Sequence, residues 1–250
     1  MSERYDFRTK RLFVKDDLIE NQAVNSDRAQ ANYLLNVLRL RADDNVLLFN
    51  GKDGEWRASI RPIGRKACDL VPIELLRAQP QPYDLLYCFA PLKQARLDYM
   101  IQKAVEMGAG ALQPIITQYT QVQKLNEERI SANLVEAAEQ CGILNVPKLN
   151  DAIPLENLLD NWPEAQPERA LIFCDELADA SDQAERLQII SDRPKAVLIG
   201  PEGGFSEKER SLLRSKPFVH GLSLGPRILR ADTAAVAALA IVQAFIGDYR

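Results

Sequence analysis

The chain has 250 residues with 31 Lys and Arg against 35 Asp and Glu, a net charge of −4, and 46% apolar residues. Those proportions read as a soluble globular protein long enough for one large or two ordinary domains, and they exclude a protein that coats nucleic acid indiscriminately. The charged opening MSERYDFRTKR lacks the apolar core of a signal peptide, and no apolar run reaches membrane-spanning length, so no membrane association is expected.

In chain order, Arg11 to Val14 predicts a first strand. Ser26 or Asp27 caps a short helix with Ala31, Leu34, Leu35 and Leu38 on one face. Asn45 to Phe49 and Glu55 to Ile63 read as strands joined by Asn50-Gly51-Lys52-Asp53-Gly54, the composition of a hairpin turn. A further strand covers Cys68 to Leu76. Short strands, tight turns and one helix predict a small β-barrel or α+β module over residues 1–76. Residues 77–83, with two prolines, read as an extended linker.

Residues 84–250 have a different rhythm. Strands are predicted at Leu85–Phe89, Ala111–Ile116, Leu171–Cys174, Ala196–Ile199 and Val219–Leu224. Helices are predicted at Arg96–Met107, closed by Gly108, and at Asn126–Gln140. The alternation predicts a parallel sheet covered by helices on both faces. The last segment, Asp232 to Gly247, is apolar nearly all round, which implies a helix buried on every side, with a subunit interface as a natural place for it.

Charge is uneven along the chain. Residues 1–79 carry 14 Lys and Arg against 12 Asp and Glu, and the remainder 17 against 23. Arg8, Lys10 and Arg11, then Arg39 and Arg41, form two small basic clusters that serve either as a solvated face or as a docking patch for a phosphate backbone. Cys68, Cys88, Cys141 and Cys174 are scattered without C-x-x-C spacing, the pattern of thiols in a reducing cytosol.

The chemistry narrows by elimination. The one histidine, His220, rules out H-E-x-x-H zinc sites and reads as an ordinary half-exposed residue. Neither the phosphate-binding G-x-x-x-x-G-K-[ST] loop nor the dinucleotide fingerprint G-x-G-x-x-G is present. What stands out is KAVLIG-PEGGF-SEKER: an apolar strand, the glycine turn Gly200-Pro201-Glu202-Gly203-Gly204, and a helix opened by the capping box Ser206 to Glu209. Leu222 to Thr233 repeats the plan with a Gly225-Pro226 turn and a helix capped by Asp232 or Thr233. Two such turns at parallel strand ends either form one pocket, for a ligand recognised through an adenine or amino-acid moiety, or are merely tight turns.

LIGPEGGFSEKE with LSLGPRILRADTA, preceded by LDYMIQKAVEMGAG and EAAEQCG, resembles the bacterial small-subunit ribosomal RNA uridine-N3 methyltransferases, a branch of the knotted SPOUT class. RLFV and NYLLNVLRLRADDNVLLFNGKDGEW match as well, so the resemblance covers essentially the whole chain. It implies an N-terminal PUA-like RNA-binding barrel, a C-terminal α/β domain with a trefoil knot, and a homodimer with its active sites at the interface. It implies S-adenosylmethionine as cofactor, S-adenosylhomocysteine as product and no metal. Two departures stand out: Asp232 where many members have Glu, and Ile143 where many have Arg.

Matching positions imply a cofactor site made of Phe173, Cys174, Gly200, Pro201, Glu202, Gly203, Gly204, Phe205, Leu224, Gly225, Arg227, Ile228 and Leu229. Uracil N3 carries a weakly acidic proton. Arg230, with Arg227 second, is the candidate to stabilise charge on the O2/O4 edge, and Glu202 or Asp232 the candidate to accept the proton. RNA is expected on Arg8, Lys10, Arg11, Arg39, Arg41, Lys93, Arg96 and Lys103. The expected partners are 16S ribosomal RNA, within the small subunit, and a second copy of the chain. The alternatives are a non-catalytic dimeric RNA-binding or assembly factor, and an enzyme using another nucleotide at the same turns.

Overall fold

Two sets of apolar strands build two sheets, one in each of two units. The computed structural model describes residues 6, 8–64, 67–175 and 183–249. The first unit runs to Pro82 and takes in a second piece, Ala138–Val146. It contains β1 (Arg11–Phe13), β2 (Val24–Asn25), α1 (Arg28–Asn32), β3 (Asn45–Phe49), β4 (Glu55–Pro62) and β5 (Cys68–Arg77). The sheet order is β1-β3-β4-β5-β2, antiparallel except for the β1–β3 pair. Its core gathers Leu12, Val14, Leu34, Val46, Leu48, Ile60 and Leu70 among others.

Local chemistry explains these elements. Asp27 caps α1 in a reciprocal box with Gln30, and the helix runs on through one π-type turn, Tyr33–Val37, in which Leu38 N–H donates to Tyr33 C=O. The β3–β4 turn is shaped by Asn50, whose Oδ1 accepts from the N–H groups of Lys52 and Asp53. Beneath it lies a buried ion triad: Glu55 accepts from Arg11 at 2.7 Å and from Arg77 at 2.7 Å. The second piece of chain is bonded to this same region, since Arg77 donates to Gly142 C=O and Gln79 to Asn145 Oδ1. Nothing local in the sequence marks that return.

The second unit contains β6 (Leu85–Phe89), α2 (Gln94–Glu106), β7 (Ala111–Ile116), most of α3 (Glu127–Cys141), β8 (Lys148–Leu149), β9 (Ile153–Pro154), α4 (Leu155–Ala165) and β10 (Ala170–Cys174). It continues with α5 (Gln183–Ile189), β11 (Lys195–Ile199), α6 (Glu207–Ser215), β12 (Val219–Leu222) and α7 (Ala231–Ile246). Every strand pair is parallel, in the order β12-β10-β11-β6-β7-β8, with β9 beside β7. Leu86, Cys88, Leu171, Phe173, Ala196 and Leu198 point to one face, against Leu158, Leu159 and Trp162 of α4 and Leu213 of α6. Tyr87, Phe89, Ile172, Val197 and Ile199 are buried on the opposite face, where α7 packs on β11 and against α2 and α5. The sheet is thus covered on both sides, as the runs of apolar residues predict.

Within this chain helix α7 is buried along one side. Ala235, Ala238, Leu239 and Val242 are buried, but the far side is only half-covered and Phe245 is 46% exposed. The capping assignment changes: Arg230, in an extended conformation, occupies the cap position, and Asp232 lies in the first turn, where its Oδ1 accepts from Thr233 N–H. Among the described residues no helix is long and apolar enough to cross a membrane.

Glu55 is the test of the first unit. Glu55→Ala removes the buried carboxylate that the Arg11 and Arg77 guanidinium groups share, and breaking such a pair costs about 3–5 kcal/mol. Urea denaturation followed by Trp56 fluorescence should register a loss of this size.

Candidate functional site

The carboxyl ends of β12, β10 and β11, three neighbours in the sheet, open on one pocket of about 450 Å³. Residues 199–205 form one wall and 224–231 the other, so the two glycine turns do share a cavity. They are not adjacent, however. Strand β10 lies between them, and Cys174 and Asp175 at its end complete the floor.

The first turn is fixed from both sides. Gly204 has φ of 69°, in the left-handed region, and its N–H returns to Pro201 C=O at 2.9 Å. Ser206 and Glu209 then form the capping box that starts α6, as the sequence predicts. A Cβ on Gly200 would come within 2.6 Å of the Phe205 ring, which packs edge-on against Phe173. Gly225 in the second turn has φ of 92° with open space around it.

Asp175 is the residue that sequence reasoning missed. It is buried, lines the pocket, and is bonded to Arg210 Nη1 at 2.7 Å and to Arg214. Arg210 also donates to Phe205 C=O at 3.1 Å. One carboxylate therefore ties the end of β10 to the end of the first glycine turn. A lone acidic residue after a strand carries no periodic signal, and only the pairing of two basic residues one turn apart on α6 hinted at it.

Of the residues expected to hold the cofactor, Cys174, Gly200 to Phe205, Leu224, Gly225 and Arg227 to Leu229 line the pocket. Phe173 is set one layer back, fully buried behind Phe205. Burial pushes the Cys174 thiol up to about 12, so it stays protonated and serves as a neutral surface. Ile228 lines the cavity yet is 91% exposed, an apolar side chain that packs only when something covers it. Arg227 and Arg230 stand exposed at the rim, and Arg230 holds the N-terminal cap position of α7.

Glu202 is not an isolated carboxylate. It faces Arg96, from the first turn of α2, at 3.6 Å across the mouth of the pocket. Asp232, in the first turn of α7, is half-buried and does not line the pocket, unlike its neighbours Ala231 and Ala234. Among the residues expected to meet RNA, Arg8, Lys10, Arg39, Arg41 and Lys93 are exposed. Lys103 is half-buried, bonded to Glu106 and lying over the Tyr99 ring. Arg11 does not belong to that surface, because it is buried against Glu55. His220 stands outside the pocket; burial lowers its pKa and its Nε2 has no hydrogen-bond partner.

The cavity suits a nucleoside joined to an amino acid. Leu224, Leu229 and Ile199 supply apolar wall, the turns supply backbone donors and acceptors, and the Arg96, Glu202, Asp175 and Arg210 side chains bring both signs of charge. No group of three or more His, Cys, Asp or Glu among the described residues is placed to hold a metal ion.

Fold and site together define an α/β protein that binds a small organic ligand at the carboxyl ends of parallel strands. Comparison with known proteins narrows this. Residues 79–243 match the model of an RNA methyltransferase domain, and residues 27–73 that of an RNA methyltransferase PUA domain. The ribosomal RNA small subunit methyltransferase E of Rickettsia conorii is 32% identical over 93% of this chain and 94% of its own length. The protein of that name from Bacillus subtilis is 26% identical over 93% and 95%. The crystal structure of a ribosomal RNA small subunit methyltransferase E from Neisseria gonorrhoeae, bound to S-adenosylmethionine, superposes with a TM-score of 0.84 at 25% identity, covering 97% of this chain and all of that one. The chain belongs to this RNA methyltransferase family, with a PUA domain ahead of the α/β domain.

Gly200→Ala tests the cavity. The added methyl must displace Phe205 from its contact with Phe173, an overpacking that costs typically 1–3 kcal/mol. Thermal denaturation should show that loss, and calorimetric titration with S-adenosylmethionine should show affinity reduced by more than about tenfold.

Proposed function

We propose that this chain is an S-adenosylmethionine-dependent methyltransferase acting on N3 of a uridine in the RNA of the small ribosomal subunit. The carrying observation is the single pocket in which both glycine turns meet, at the strand ends where α/β proteins hold their ligands. A pure assembly scaffold has no use for such a cavity. The relatives' names support ribosomal RNA as the substrate class, and a cytoplasmic place of action follows from it.

When bound, the sulfonium cofactor supplies an already activated methyl group. The backbone of residues 200–205 and 224–229 holds and orients it, while Leu224 and Leu229 exclude water from one side. The chain's remaining task is to present N3 with its proton removed. Arg230 is suited to the charge that develops on the uracil edge, because it lines the pocket from the N-cap position of α7. The helix end and the side chain there favour negative charge together. Glu202 accepts the proton once Arg96 turns from it to a phosphate, or Asp232, in the first turn of α7, accepts it directly or through water.

The partly covered face of α7, with Phe245 at its end, supports a homodimer formed through this helix. Light scattering should find a dimer for the native chain and a monomer for Phe245→Glu.

Transfer of labelled methyl to unmodified small-subunit RNA, with the product nucleoside identified by mass spectrometry, tests the reaction itself. Arg230→Ala should lower kcat by about 10²–10³ while leaving cofactor affinity within twofold. Of Glu202→Gln and Asp232→Asn, the one that removes the base should lower kcat by roughly 10²–10⁴. If both retain near-native turnover at saturating cofactor, neither is the base.

A further inference from the structure

An exposed aromatic ring stands against the outside of the first glycine turn. Tyr119 lies in the short connection after β7, and it is 46% exposed. Single exposed apolar side chains are ordinary on loose loops, but this connection is tightly held. Thr117 and Thr120, on either side, are buried; their hydroxyls bond to each other at 2.8 Å, and Thr120 Oγ1 accepts from Thr117 N–H at 2.9 Å. Gln118 N–H donates to Oε1 of Glu209 at 2.8 Å, while Oε2 of the same Glu209 closes the capping box with Ser206.

The turn that presents Tyr119 is therefore fastened to the residues that follow the glycine turn. Contact with the glycine turn is also direct. A Cβ on Gly203, a residue of the pocket wall, would lie 3.1 Å from the Tyr119 Cβ, so the tyrosine packs directly on the glycine and a side chain there would crowd it. These bonds fix the backbone that presents the ring, and the ring lies about half-exposed beside a binding cavity rather than in the core. Its chemistry is that of a stacking surface.

We propose that the Tyr119 ring is the platform on which a base of the RNA substrate stacks as the strand enters the pocket. The inference rests on the methyltransferase reading and adds a contact to it. N3 lies on the Watson–Crick edge, so the target must leave its helix, and the strand loses stacking when it does. Arg96 and Arg227 at the same pocket can answer phosphates but offer no flat surface to a base. Tyr119 supplies that surface, and it does so for any base, since every base has a π-face.

The test compares Tyr119→Ala and Tyr119→Phe with the native chain, by titration with a short oligouridylate and with its abasic counterpart of equal length. Tyr119→Phe should bind the oligouridylate within twofold of native. Tyr119→Ala should bind it roughly 5- to 150-fold more weakly, the equivalent of one stacked base. Its affinity for the abasic strand and for S-adenosylhomocysteine should not change, and the salt dependence of binding should keep its slope. Native affinity in Tyr119→Ala overturns the proposal. Equal weakening toward the abasic strand, or a change of oligomeric state on light scattering, overturns it too, by assigning the ring to the backbone or to a second copy of the chain. A native chain that binds cofactor but neither strand nor unmodified ribosomal RNA removes the methyltransferase reading first, and this inference with it.

Discussion

A single buried carboxylate holds the site together. Asp175 sits at the end of β10 in the middle of the pocket floor, and an ionised carboxylate there is tolerable only with its charge answered. Arg210 and Arg214 of α6 answer it, and Arg210 spends a further donor on the carbonyl of Phe205. The strand end, the helix and the glycine turn thereby become one object. Glycines alone would leave the turn many conformations, and Asp175 and the capping box leave it few. Preorganisation of this kind is what lets backbone groups recognise a ligand without paying again for order.

The same economy runs outward from the turn. Glu209 serves the capping box through one oxygen and the Gln118 amide through the other. A helix start thus anchors a neighbouring connection. Across the cavity, Arg96 and Glu202 approach without forming a close bond, and both remain partly in water. An exposed pair at that separation is weak and easily exchanged. The interior of the site is tightly fixed and its mouth is loosely held, which suits a small ligand that must be gripped and a polymer that must come and go.

Much of this was legible in the chain. The strands of the second unit are short runs of Leu, Val, Ile and Phe, and both ends of the glycine turn announce themselves, by an apolar strand before and a capping box after. What was not legible has physical causes. Helix α4 carries Leu155, Leu158, Leu159 and Trp162 at helical spacing, but Pro163 interrupts the pattern and β9 leads straight into it. Arg11 reads as one of a basic cluster, and only a partner 44 residues away shows that it is buried. The return of residues 138–146 to the first unit and the place of β10 between the two turns are both products of long-range topology. Local propensity does not encode either.

The strand order has a further consequence for how the protein comes into being. Strand β11 is laid between β10 and β6, neighbours drawn from residues 170–174 and 85–89, and the second wall of the pocket arrives only with residues 224–231. During translation, a nascent chain has neither a complete sheet nor a cavity until residues 224–231 have left the ribosome. Contacts of such long range are slow to form, and the cofactor can then act as a late clamp on a finished fold. A methyltransferase built in this order stays inactive until that second wall is in place, and takes up its ligand only afterwards.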